Sequence, residues 1–122
     1  MKPIDWLERA KKFLRSAERN LMAGEYEIAC FDSHQAAELA LKGLHIFKYG
    51  SRPYTHDLIA LAEPLGFHHE FLLALTAFYT PSRYPESAVS FNEGIAIRCL
   101  EVAKEVIEFV ERELKEGLRE IR

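Results

Sequence analysis

The sequence predicts an all-α protein: an up-and-down antiparallel bundle of four main helices plus one short helix. Three observations carry this. Apolar residues recur at helical spacing through four stretches, no stretch alternates with the period of two that a strand needs, and Gly, Pro or capping residues stand between them. The 122 residues, 48% hydrophobic and 29% charged, suit one domain, 1–122, with one core.

The first helix is expected from about Asp5 to Ala23. Trp6, Leu7, Ala10, Phe13, Leu14, Ala17 and Leu21 fall within an arc of about 120° on the helical wheel. Asp5 suits an N-cap and Gly24 a C-terminal stop. The second runs from about Glu25 to Tyr49, stopped by Gly50. It is apolar around most of its girth (Ala29, Cys30, Ala36, Ala37, Ala40, Leu41, Leu44, Phe47, with Ile28, Leu39 and Ile46 beyond). Such a helix is surrounded by neighbours, and its alanines permit close approach, so it is the central one.

Thr55 is the expected cap of a short helix, His56 to Glu63, ended near Pro64 and Gly66. A further helix, about His69 to Phe78, turns Phe71, Leu72, Leu75 and Phe78 inward. Tyr79 to Val89, with Pro81 and Pro85, is expected to be irregular. In the last helix Ser90 and Glu93 match a capping box. Its apolar face runs from Ile95 to Leu118. Some 28 residues span roughly 42 Å, so its far end is expected to project.

Charge and composition exclude several classes. The net charge is -3, with 16 basic residues against 19 acidic, so no global basic field exists to drive non-specific nucleic-acid binding. No apolar run reaches the roughly 20 residues of a bilayer span. Met1 to Asp5 has no apolar signal core, so a cytoplasmic, non-membrane protein is expected. Cys30 and Cys99 lie in apolar helical patterns and read as buried, reduced thiols. The spacing of Cys and His suits no zinc site, so no metal or cofactor is expected.

Three places could carry chemistry. Gln35, Glu38, Lys42 and His45 lie within about 80° on the central helix. They fit a solvated edge with an ordinary Glu38–Lys42 pair, or a groove wall, or part of a dimer seam. In Tyr79-Thr80-Pro81-Ser82-Arg83-Tyr84-Pro85, Arg83 stands between prolines. Its guanidinium could clamp a phosphate, with Tyr79 and Tyr84 stacking on a base, or it could cap the preceding helix. His56, followed by Asp57 at a helix start, could be an acid–base group or a packed histidine. His34, His68 and His69 form no recognisable arrangement. No Gly-rich phosphate loop, zinc-protease helix or nucleophile elbow is present.

These segments, in this order, resemble the HEPN family (higher eukaryotes and prokaryotes nucleotide-binding). The matching stretches are His34-Gln35-Ala36-Ala37-Glu38-Leu39-Ala40-Leu41-Lys42-Gly43-Leu44, then Thr55-His56-Asp57-Leu58, then Tyr79 to Pro85, close to the family's Y-x-P-x-R-Y-P. The resemblance implies a helical bundle that dimerises. Some members are metal-independent ribonucleases, often toxins, that carry Arg followed four to six residues later by His. Others are non-catalytic and bind nucleotides or pair with a nucleotidyltransferase. Here no His follows Arg83, because the last is His69.

The expectation is therefore a non-catalytic homodimer that binds a nucleotide or pairs with a nucleotidyltransferase in a toxin–antitoxin-like system. Lys42, Arg83, Tyr79, Tyr84, His56, Glu38 and Gln35 are its nucleotide-binding candidates. The alternatives are a divergent ribonuclease using Arg83 and His56 on RNA, and a structural helical dimer.

Overall fold

α1 (Pro3–Met22) and α2 (Tyr26–Tyr49) form an antiparallel pair, and everything else is arranged around α2. The computed structural model describes residues 2–83 and 90–121, and the side chains of all of these except 80–83 and 121. Five α-helices and no strand occur among the described residues, as the helical periodicity requires.

Pro3 opens α1 at the position where a missing N–H costs nothing. Lys2 is the N-cap and Asp5 lies three residues inside it, its Oδ2 reaching back to accept from the Lys2 N–H at 2.9 Å. This corrects the expectation that Asp5 itself is the N-cap. α2 ends where Gly50 takes φ +77°, a left-handed conformation that avoids a Cβ clash, and its N–H donates to the Ile46 carbonyl at 2.9 Å. α2 touches α1, α3, α4 and α5. Its alanines 29, 36, 37 and 40 are buried together with Leu41 and Leu44. Gly43 sets the closest approach to α1: a Cβ there would lie 2.8 Å from Trp6 Cβ and 3.2 Å from the Pro3 carbonyl.

α3 (Leu58–Ala62) continues into a 3-10 turn, Glu63–Leu65. Its cap is Asp57, whose Oδ1 accepts from the Ile59 and Ala60 N–H groups, while Thr55 Oγ1 accepts from the Asp57 N–H. Thr55 thus braces the cap instead of being it, and His56 precedes the helix.

α4 (Leu72–Arg83) departs most from expectation. The sequence predicts an irregular stretch from Tyr79 to Val89, yet residues 79–83 are the end of a helix, and 84–89 lie outside the described residues. Pro81 lacks the N–H that would bond the Ala77 carbonyl, a loss confined to that final turn. Continuing the helix places Tyr79 against Phe31, His34 and His56, and these ring contacts offset the loss.

α5 (Glu93–Ile121) is capped by Asn92, whose Oδ1 accepts from the Ile95 N–H at 2.9 Å. The Ser90–Glu93 capping box is therefore replaced by a cap two residues later. The far end packs down through Gly117 and is exposed from Leu118 to Glu120. Leu114 is buried, Lys48 pairs with Glu113 at 2.8 Å, and Gly117 leaves room for the Phe47 ring. The 29 residues of α5, about 44 Å, run past the C-terminal end of α2. Leu7, Leu41, Leu44, Leu58, Leu61, Leu75, Val102, Val106 and Val110 fill the core. Cys30 and Cys99 are buried free thiols. Hydrogen bonding to Cys30, then burial, pushes the Cys99 pKa upward, so Cys99 stays protonated.

Candidate functional site

The polar stripe of α2 is not a solvated edge. Glu38, Lys42 and His45 are all buried, and so is His34, one turn before Glu38. Four polar groups inside a bundle need partners, and the structure supplies most of them. His45 Nε2–H donates to the Leu61 carbonyl at 2.7 Å, tying α2 to α3. The remaining three form a single network.

Glu38 is its hub. Oε2 accepts from Lys42 Nζ at 2.8 Å. Oε1 accepts from His56 Nδ1–H at 2.9 Å and lies 3.7 Å from His34 Nδ1. One carboxylate therefore faces an ammonium and two imidazoles. Lys42 is only 7% exposed and is held by Glu38, so its charge serves the network and is not presented to solvent.

His34 and His56 differ in state and in role. The His56 carbonyl can only accept, so His34 carries its proton on Nε2, 2.9 Å away. Burial pushes the His34 pKa down from 6.5 to about 4, against the opposing pull of Glu38, so the ring is neutral at pH 7. Its Nδ1 then presents a bare lone pair with no donor among the described residues. His56 is thus gripped twice from α2: His34 holds its backbone and Glu38 holds its ring. Its side chain is 59% exposed. With Nδ1 committed to Glu38, Nε2 is the ring nitrogen left for other partners.

Tyr79 completes the wall. Its ring stacks on His56 with centroids 4.9 Å apart and meets His34 at 4.5 Å and Phe31 at 5.7 Å. Position 83 follows by four residues on α4, one turn onward along the same helix face. The side chain of Arg83, and Tyr84 entirely, lie outside the described residues. Gln35 stands apart from the network, half-buried, with Oε1 lacking a partner among the described residues.

The structure thus brings together Glu38, Lys42, His56 and Tyr79 from three elements, and adds His34 and Phe31, which sequence reasoning missed. The signal for His34 was present in its i,i+4 spacing to Glu38.

A profile of the HEPN domain matches residues 4–114, nearly the whole chain. The chain belongs to the HEPN domain family. Two solved structures share this HEPN fold. The protein TT1696 from Thermus thermophilus is 31% identical, with a TM-score of 0.78 over 90% of this chain and 96% of that one. ST0689, described as an archaeal HEPN homologue, is 31% identical, with a TM-score of 0.76 over 93% and 98%. No curated protein gives a significant match. The His56 network therefore sits within the region matched to the HEPN domain, on the α2 and connector segments that carry the sequence resemblance.

Proposed function

We propose that this HEPN protein is a non-catalytic nucleotide-binding module whose cleft lies between His56, Tyr79 and position 83. The supporting observation is the Glu38–His56 pair: a buried carboxylate 2.9 Å from Nδ1 aims an exposed imidazole, and Tyr79 flanks that imidazole with an aromatic face. A phosphate oxygen would accept from the Arg83 guanidinium and, when the ring carries both protons, from His56 Nε2–H, and a base would lie against the tyrosines at 79 and 84. Glu38 and Lys42 act behind the wall, fixing His56, and Gln35 is a further polar group on the same helix. A second copy and a nucleotidyltransferase protein are the partners this reading carries, as in a toxin–antitoxin-like pair working in the cytoplasm.

Calorimetric titration with ATP and GTP tests the proposal. Heat and a raised melting midpoint at millimolar nucleotide are expected, both lost in Arg83→Ala and His56→Ala. No heat from the parent protein would contradict nucleotide binding.

The same Glu38–His56 geometry favours one alternative, a metal-independent ribonuclease in which His56 takes the proton of an RNA 2′-hydroxyl. Incubation with RNA in EDTA separates the two. Cleavage abolished by His56→Ala favours the enzyme, and intact RNA favours the binding module.

A further inference from the structure

The connector between α2 and α3 also carries Arg52, which the His56 cleft does not use. Its guanidinium lies between two rings, 4.9 Å from the Trp6 centroid and 4.7 Å from that of Tyr54. A guanidinium stacked this way keeps its N–H edge free, and no ion pair or hydrogen bond among the described residues occupies it. Tyr54 is 91% exposed. A ring of that size left in water, already resting on a cation, is a ready stacking surface.

Trp6 joins this cluster to α1. Gly43 lets the indole sit directly on α2, so the ring beneath Arg52 is fixed. Further along α1, Arg9, Lys12, Phe13 and Ser16 line a hollow of about 290 Å³. Trp6 and Phe13 are seven residues apart on one face, about 10 Å along the helix. Arg9 and Lys12 are exposed and have no ion-pair partner among the described residues. Cations and rings are therefore interleaved along one edge: Tyr54, Arg52, Trp6, then Arg9 and Lys12 together, then Phe13. Of the nearby carboxylates two are engaged, while Glu8, four residues before Lys12, is exposed. Asp5 accepts from the Lys2 N–H, and Asp32 accepts from Ser16 and Asn20.

We infer that the edge of α1 and the 50–57 connector form a track for single-stranded nucleic acid, with Arg52, Arg9 and Lys12 on phosphates and Tyr54 on a base. Interleaved cations and rings suit a strand whose phosphates and bases alternate. An acidic peptide would use the cations and leave the rings idle. The track goes beyond the His56 cleft and shares only the connector with it, so each can fail without the other.

The test is fluorescence anisotropy of labelled rU12 and dT12 with the whole chain over a range of salt. Binding at 50 mM salt is expected for both, within about tenfold of each other, because the contacts reach phosphate and base but not the 2′-hydroxyl. Three phosphate contacts give a log–log salt slope of about -2. The exposed double variant Arg9→Ala/Lys12→Ala leaves the melting midpoint unchanged, weakens binding at least tenfold and brings the slope to about -1. Tyr54→Ala weakens binding about tenfold, while His56→Ala binds as the parent does. No binding by the parent, an unchanged affinity in Arg9→Ala/Lys12→Ala, or displacement of the oligonucleotide by polyglutamate as readily as by unlabelled rU12 would overturn the track.

Discussion

His34 shows how one buried ring shapes the site. It is neutral because burial opposes its charge, and its pKa falls to about 4. The unfolded chain takes up that proton near pH 6.5. Between these values the unfolded state holds more protons, so stability drops as pH falls from about 6.5 toward 4. His34's full contribution is present above pH 6.5, and the loss by pH 4 is on the order of 3 kcal/mol. Urea midpoints at pH 7.0, 5.5 and 4.5 measure this, and His34→Gln is expected to flatten the decline. A second residue-scale case is Gly43. Alanine there brings a Cβ to 2.8 Å from the near end of Trp6, which cannot swing aside cheaply. The helix-propensity gain of about 1 kcal/mol is outweighed by overpacking of about 1–3 kcal/mol. Gly43→Ala should lower the melting midpoint by several degrees, and an unchanged midpoint would show that α1 shifts freely.

At the scale of elements, caps decide where helices begin. Asp57 accepts two N–H groups at the start of α3. Asp57→Ala is expected to cost about 1 kcal/mol in urea unfolding, and Thr55→Ala, which removes only the brace, less than half of that. Most elements were legible in the sequence, because the apolar periodicities of α1, α2 and α5 are long and the glycine stops at 24 and 50 are unambiguous. The starts of α3 and α5 were misjudged because several capping residues stand together, Thr55 with Asp57 and Ser90 with Asn92. Local sequence does not say which one wins. The last turn of α4 was illegible for a different reason. Pro81 is a strong local stop signal, and what overrides it is packing of Tyr79 on rings from α2 and the connector, distant in sequence. Within the site, the Glu38–Lys42 pair was readable from its spacing. Its burial was not, because that depends on the connector and α4 closing over the stripe.

Across the whole molecule, a net charge of -3 hides an uneven surface. The cations of α2 are turned inward or paired, as Lys42 and Lys48 are, while Arg9, Lys12 and Arg52 remain unpaired among the described residues. Any recognition of anions therefore has to rest on local geometry, and the proposed site at His56 is the candidate built among the described residues. The most direct measurement is long-range ¹H–¹⁵N NMR of the five histidines during titration with ATP and GTP. The expected result is that His56 Nε2 shifts in proportion to occupancy while the buried rings of His34 and His45 stay still. A His56 signal unmoved at millimolar nucleotide would contradict the cleft.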